Sequence, residues 1–264
     1  MNIVPFESSG YTPILFCLTD AVRTTPIRRC LRNRWIAFRL CDRKYWILPF
    51  QANKSMTILI EKYSAAQLDA VISLLSEAFV TNPLHVAAFG SERIDQNRLF
   101  FRIGLRHMFA GQAFVARVNG QVLGYVHFNA SPYCLPAPEE IPTVAATVLK
   151  PLGEAIPNVI NWFARWCHLD PDEPHVHLGP IGVAPGLQGR GVGTALMNRY
   201  IEHLKQEQSA GYLETDRPEN VEFYEKFGFV VRHQEQLMGA PTWYMWRQRP
   251  EDHDAIASPP KASG

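Results

Sequence analysis

The chain can be divided by the period of its apolar positions. Residues 57–63 (TILIEKY) form a short apolar run that predicts a strand. Leu68, Val71, Ile72, Leu75 and Phe79 then recur at helical spacing, with Ser64 placed to cap the helix and Asn82-Pro83 to stop it. A second helix is predicted over 94–108, with Leu99, Ile103, Leu105 and Met108 on its buried side. Two apolar runs, 113–118 and 122–129, flank Asn119-Gly120, the dipeptide that suits a tight type I′ hairpin turn. Residues 131–174 are proline-rich, with helical patterns near 142–150 and 156–168. In the second, Ile160, Phe163, Ala164 and Cys167 share a spacing that makes them core. An apolar run from His175 to Val183, a glycine-rich turn and a helix over 194–205 follow, then a short strand at 211–215, a helix from Asn220 to Gly228 and further strand. The order is βααββ, an insert, then βαβαββ. Its hairpin is antiparallel and its β–α–β crossover parallel, so the fold class is α/β with a mixed sheet.

Composition sets bounds on partners and compartment. The 264 residues are 47% hydrophobic with net charge +1, which supplies a core and gives no general case for nucleic acid. Residues 1–55 differ from the rest: nine Lys or Arg stand against three acidic residues, and no sustained period is present. We expect 1–55 to be a basic extension, poorly ordered and dispensable, with a basic targeting peptide as the alternative. The folded domain is expected over 56–248, and the polar stretch 249–264 as a disordered tail. Five cysteines (17, 30, 41, 134 and 167) lack close paired spacing and predict reduced thiols in the cytoplasm. No apolar run reaches the ~20 residues of a membrane span, so no membrane partner is expected. A homodimer is left open.

The stretch Val183 to Leu196 carries the most chemistry. Glycines at 189, 191 and 193 let backbone N–H groups approach a ligand, and the following helix adds its free amides and dipole, together a cradle for phosphate. A Walker loop fails because no Lys follows the glycines, and a dinucleotide-binding fingerprint fits poorly so late in a chain. Gln188-x-x-Gly191-x-Gly193 instead resembles the GNAT superfamily of N-acetyltransferases. The block Asn220 to Phe229, with Phe223-Tyr224 and Gly228-Phe229, extends the resemblance, which covers about 56–247 and is most specific over 175–231.

That resemblance implies a central mixed sheet splayed between its fourth and fifth strands, helices on both faces, and acetyl-CoA as acyl donor to a small-molecule or peptide amine. It implies that Gln188, Gly189, Arg190, Gly191, Val192, Gly193 and Thr194 hold the pyrophosphate. Ile181, Gly182 and Val183 would line the pantetheine arm, with Asn220 also against the coenzyme. Gly179-Pro180 fits such a site, since both residues inside a strand mark a bulge. Tyr224 matches the family's general acid. His177, fourteen residues before Gly191, matches the position of a general base in several members, with His175 or Glu214 in reserve. From the residues alone, His175 and His177 share one strand face roughly 6.6 Å apart. A His-x-His pair on a strand can ligate zinc, but no third ligand is evident in the sequence, so no metal is expected. Cys134 and Cys167 have no base beside them in sequence and are not expected to act as nucleophiles. His85, His107, His127, His168, His203, His233 and His253 receive no role. The rival to an enzyme is a non-catalytic acyl-CoA binding module on the same fold.

Overall fold

The computed structural model describes residues 57–250 apart from 135 and 138. The expectations for 1–55 and for most of 249–264 lie outside the described residues. A seven-stranded sheet is built from β1 (Ile58–Lys62), β2 (Gln112–Val118), β3 (Gln121–Ala130), β4 (His175–Val183), β5 (Ala210–Thr215), β6 (Val230–Leu237) and β7 (Ala240–Arg247). The strands run in the order β1-β2-β3-β4-β5-β7-β6. All pairs are antiparallel except β4 with β5, which is parallel. The helices are α1 (Leu68–Phe79), α2 (Pro83–Phe89), α3 (Ile94–Ile103), α4 (Ile141–Thr147), α5 (Ile156–Leu169), α6 (Val192–Gln206) and α7 (Pro218–Glu225). The expected mixed sheet is present, with helices on both faces.

Helix α2 was missed, and the reason is local. Asn82 sits in extended backbone and its side chain accepts the His85 N–H at 3.3 Å, while Pro83 occupies the first turn. The Asn-Pro pair that ends α1 therefore also starts α2, since proline needs no donor there. The buried side of α3 is also rotated from the expected one. Asn97, Phe100, Phe101 and Ile103 are buried, whereas Leu99, Leu105 and Met108 are half-buried, the last two in a π-helical turn. Asn97 turns inward because its Oδ1 accepts from the His85 ring at 2.6 Å. Likewise α5 buries Val159, Trp162 and Phe163, leaving Ala164 exposed.

The hairpin forms as read: Asn119 and Gly120 have φ of 51° and 83°, the pair of left-handed residues that a type I′ turn requires. Both faces of the central strands are covered. Val115 and Tyr125 pack with α1, α2, α3 and α5, and their neighbours Ala116 and Val126 pack with α6 and α7. No single helix among the described residues is long and apolar enough to cross a membrane.

Two irregularities in β4 position the site. It pairs with β5 only over His175–His177, against Ala210–Tyr212, after which the strands part. Opposite β3 the register shifts: Leu178 faces Phe128, but Ile181 faces Val126, so β4 carries one extra residue at Gly179-Pro180.

Candidate active site

The parting of β4 and β5 leaves backbone that no neighbouring strand covers, and a pocket opens there. Its walls come from Leu178 to Ile181 on β4, Glu214 and Thr215 on β5, and Asn220 and Tyr224 on α7. The far wall is aromatic, with Phe100 and Phe101 from α3 and Trp162, Phe163 and Trp166 from α5. Fold topology thus gathers His177, Glu214, Ile181, Asn220 and Tyr224 into one cavity.

The bulge is shaped by His127 on β3. A Cβ at Gly179 would lie 2.5 Å from the His127 Nδ1, so only glycine allows the ring this close. The other ring nitrogen bonds the Ala110 carbonyl. Burial drives the His127 pKa down to about 4, leaving a neutral ring whose Nδ1 has no hydrogen-bond partner. Scattered histidines carry no sequence signal, which is why His127 was passed over.

His177 is 5% exposed, and its Nε2 donates to the Glu214 Oε2 at 2.7 Å. Burial opposes charge on this ring, but the Glu214 carboxylate outweighs it and holds the pKa well above the usual histidine value. The second Glu214 oxygen, Oε1, is buried with no partner. On the other side of the ring lie Asp170, whose Oδ1 is 3.6 Å from His177 Nδ1, and His175, whose Nε2 is 3.5 Å from the same oxygen. Cys134 Sγ stands 3.4 Å from Asp170 Oδ2 and 3.7 Å from His175 Nε2. Burial works against charge on His175, but Asp170 and Cys134 push its pKa up to about 9. Asp170 and Cys134 were not foreseen together because they lie 36 residues apart, in loops that only the folded insert brings to β4.

At the opposite end of the cavity Tyr224 is buried, and desolvation pushes its phenol pKa upward. Asn220 Nδ2 donates to the Thr215 hydroxyl at 3.1 Å, fixing α7 to the end of β5. Asp216, not foreseen either, ties the same end of β5 to α2, accepting from Asn82 Nδ2 and the Leu84 N–H at 2.7 Å each.

The glycine loop follows β4. Gly186, Gly189 and Gly191 have φ of 82°, 72° and 87°, and a Cβ at either of the first two would meet open space. Gln188, Gly189, Arg190, Gly191 and Thr194 are exposed. The α6 backbone ladder begins with Ala195 N–H to Gly191 C=O at 2.9 Å, so the amides of Val192, Gly193 and Thr194 precede it. A Cβ at Gly193 would lie 3.6 Å from Phe223 and 3.8 Å from Val183, which brings the loop to the β4 end and to the helix of Tyr224. Two of the expected coenzyme contacts have another use for their side-chain positions. Gly182 is buried, and a Cβ there would be 2.6 Å from Leu75, so this glycine lets α1 pack on β4. Val192 is fully buried with its side chain in the core, which leaves only its backbone amide toward the loop.

Comparison with known proteins agrees with this architecture. Residues 70–229 match the family model described as the acetyltransferase (GNAT) family. Among solved structures, the chain is similar to a Corynebacterium glutamicum protein described as histone acetyltransferase HPA2 and related acetyltransferase. The two are 22% identical with TM-score 0.55, over 78% of this chain and 99% of that one. It is also similar to a polyamine N-acetyltransferase of Drosophila melanogaster (13% identity, TM-score 0.51, 72% and 98% of the chains). A mosquito arylalkylamine N-acetyltransferase like 5b matches at 14% identity and TM-score 0.50, over 72% and 100%. At such identities the structures establish the fold, and the family match spans more than half of the chain. The chain belongs to the GNAT family of acetyltransferases and is an acyltransferase.

Proposed function

We propose that this protein transfers an acetyl group from acetyl-CoA to a primary amine by direct attack in a ternary complex. The observation that carries this reading is the placement of Glu214 and Tyr224 on walls of one pocket, at the point where β4 and β5 part. The donor supplies an acyl group already activated as a thioester. The exposed loop 188–191 and the first amides of α6 would hold its pyrophosphate, and the unpaired edge of β4 at Ile181 and Val183 would hold its arm.

Proton acceptance falls to Glu214. His177, first choice from the sequence, spends its Nε2–H on Glu214, and its Nδ1 lies toward Asp170. Its N–H instead positions Glu214 Oε2, leaving Oε1 to take the ammonium proton, directly or through water. The freed amine attacks the thioester carbonyl, a C–N bond forms, the C–S bond breaks, the Tyr224 hydroxyl supplies a proton to the departing thiolate, and the proton lost by the new amide nitrogen restores that hydroxyl through water. The aromatic wall suits an amine on an apolar or aromatic body, with its ammonium end toward Glu214.

Incubating the protein with acetyl-CoA and a panel of alkyl, aryl-alkyl and poly-amines, with mass spectrometry of the products, tests this directly. N-acetylated product is expected with the apolar and aromatic primary amines. Acetylation of hydroxyl compounds but of no amine would overturn it.

A further inference from the structure

One cluster of side chains borders this chemistry and shares only His177 with it, through the opposite ring nitrogen. Cys134, from the loop after β3, Asp170, from the end of α5, and His175 and His177, on β4, present ligand atoms that all lie within 4.8 Å of one another. We propose that they form a metal site, and that the ion is a tetrahedral divalent cation of the zinc type. It is bound by Cys134 Sγ, one Asp170 oxygen, His175 Nε2 and His177 Nδ1.

Three observations support this. The first is spacing. A tetrahedron with zinc bonds of about 2.3 Å to sulfur and about 2.0–2.1 Å to nitrogen and oxygen has edges of about 3.3–3.6 Å. With Asp170 Oδ1 as the ligand oxygen, the separations here are 3.7 Å to Cys134 Sγ, 3.5 Å to His175 Nε2 and 3.6 Å to His177 Nδ1, with 3.7 Å between Cys134 Sγ and His175 Nε2. Direct charge-assisted hydrogen bonds from the two rings to Asp170 would be about 2.7–2.9 Å, so the histidines stand off the carboxylate as ligands around a centre do.

The second is the orientation of the rings. His175 Nδ1 donates to the Glu173 carbonyl at 2.8 Å, and His177 Nε2 donates to Glu214 at 2.7 Å. Each ring thus commits its outer nitrogen to an acceptor and turns the other toward the cluster, as outer-sphere partners of metal-bound histidines do. The third is an unmet need. His177 is 5% exposed, yet its Nδ1, aimed into the cluster, has no hydrogen-bond partner.

The donor set selects the ion: thiolate and imidazole suit zinc and disfavour magnesium or calcium. Four protein ligands close the coordination sphere, so the ion is structural and no step of acyl transfer runs through it. It pins the segment between β3 and β4, which carries the pocket's tryptophan wall, onto the strand that carries the reaction. Glu214 keeps Oε1 free in either state, so the metal site and the acetyl-transfer reading stand or fall separately.

Full-length protein, purified without a histidine tag and dialysed against metal-free buffer, should retain about one zinc per chain by elemental mass spectrometry. Replacing zinc with cobalt(II) should give thiolate-to-cobalt charge transfer in the near ultraviolet and tetrahedral d–d bands in the visible. Cys134→Ser should abolish the charge-transfer band. A variant with serine at Cys17, Cys30, Cys41 and Cys167 together should keep both bands, which assigns the thiolate even if Cys134→Ser fails to fold. Glu214→Gln should weaken cobalt binding by about 10–100-fold. Wild-type protein that takes up neither ion, a cobalt spectrum without thiolate character, or a charge-transfer band lost with the other four cysteines would overturn the proposal.

Discussion

The two groups assigned to proton transfer differ in what their loss should do. Glu214→Gln keeps an acceptor for the His177 N–H but removes the basic oxygen, so kcat should fall about 10²–10⁴-fold with the melting temperature little changed. Tyr224→Phe removes only a hydroxyl from a buried ring, and steady-state assays should show kcat reduced about 10²-fold with KM for acetyl-CoA nearly constant. A buried histidine supplies a separate prediction. Burial lowers the His85 pKa to about 3, with the Asn97 bond opposing, so the native ring stays neutral while the unfolded one protonates near 6.5. Below about pH 6.5 the unfolded state binds more protons, and stability is lost as pH falls toward 3, by about 1.4 kcal/mol per unit for this group. Urea midpoints at pH 7, 6 and 5 should show that slope, and His85→Asn should flatten it by about one proton. Equal slopes in both proteins would remove His85 from the account.

At the scale of elements, β4, its loop and α6 govern the design, and they were also the most legible part of the sequence. Glycines at 189 and 191 have left-handed backbone that side chains rarely adopt, so the chemistry of the loop is printed in residue type. Gly191→Val should strain the loop at φ 87° and raise KM for acetyl-CoA at least about tenfold, with a smaller change in kcat. Helix α2 was illegible because Asn82-Pro83 serves both as a stop and as a start, and pattern alone cannot weigh the two. The faces of α3 and α5 were misjudged where a polar side chain, Asn97, is held inward and where Trp162 displaces smaller residues from the buried side. The pairing of Cys134 and Asp170 with the β4 histidines depends on loops whose path no periodicity encodes.

For the whole molecule, the sheet divides two packed layers, and the pocket lies where neither layer nor sheet closes. The fold class and the hairpin followed from strand order and turn residues, since parallel and antiparallel connections permit few arrangements, whereas the splay came from the family resemblance. The aromatic wall joins the insert to α3 through tertiary packing, with Trp162 stacked on Phe100, a contact no local period encodes. Residues 1–55 are proposed to be dispensable: deletion should leave a protein with a cooperative melt and acetyl-transfer activity within a few-fold of the full chain. Insoluble or inactive product would show that the basic segment belongs to the working enzyme. The central claim is amine acetylation in the cavity between β4 and β5, and stoichiometric thiol release measured alongside product formation tests it most directly. The account predicts saturable release of free coenzyme A that requires the amine, matches N-acetyl product one for one, and falls about 10²-fold or more in Glu214→Gln. Release that ignores the amine, or that is unaffected by this substitution, would contradict it.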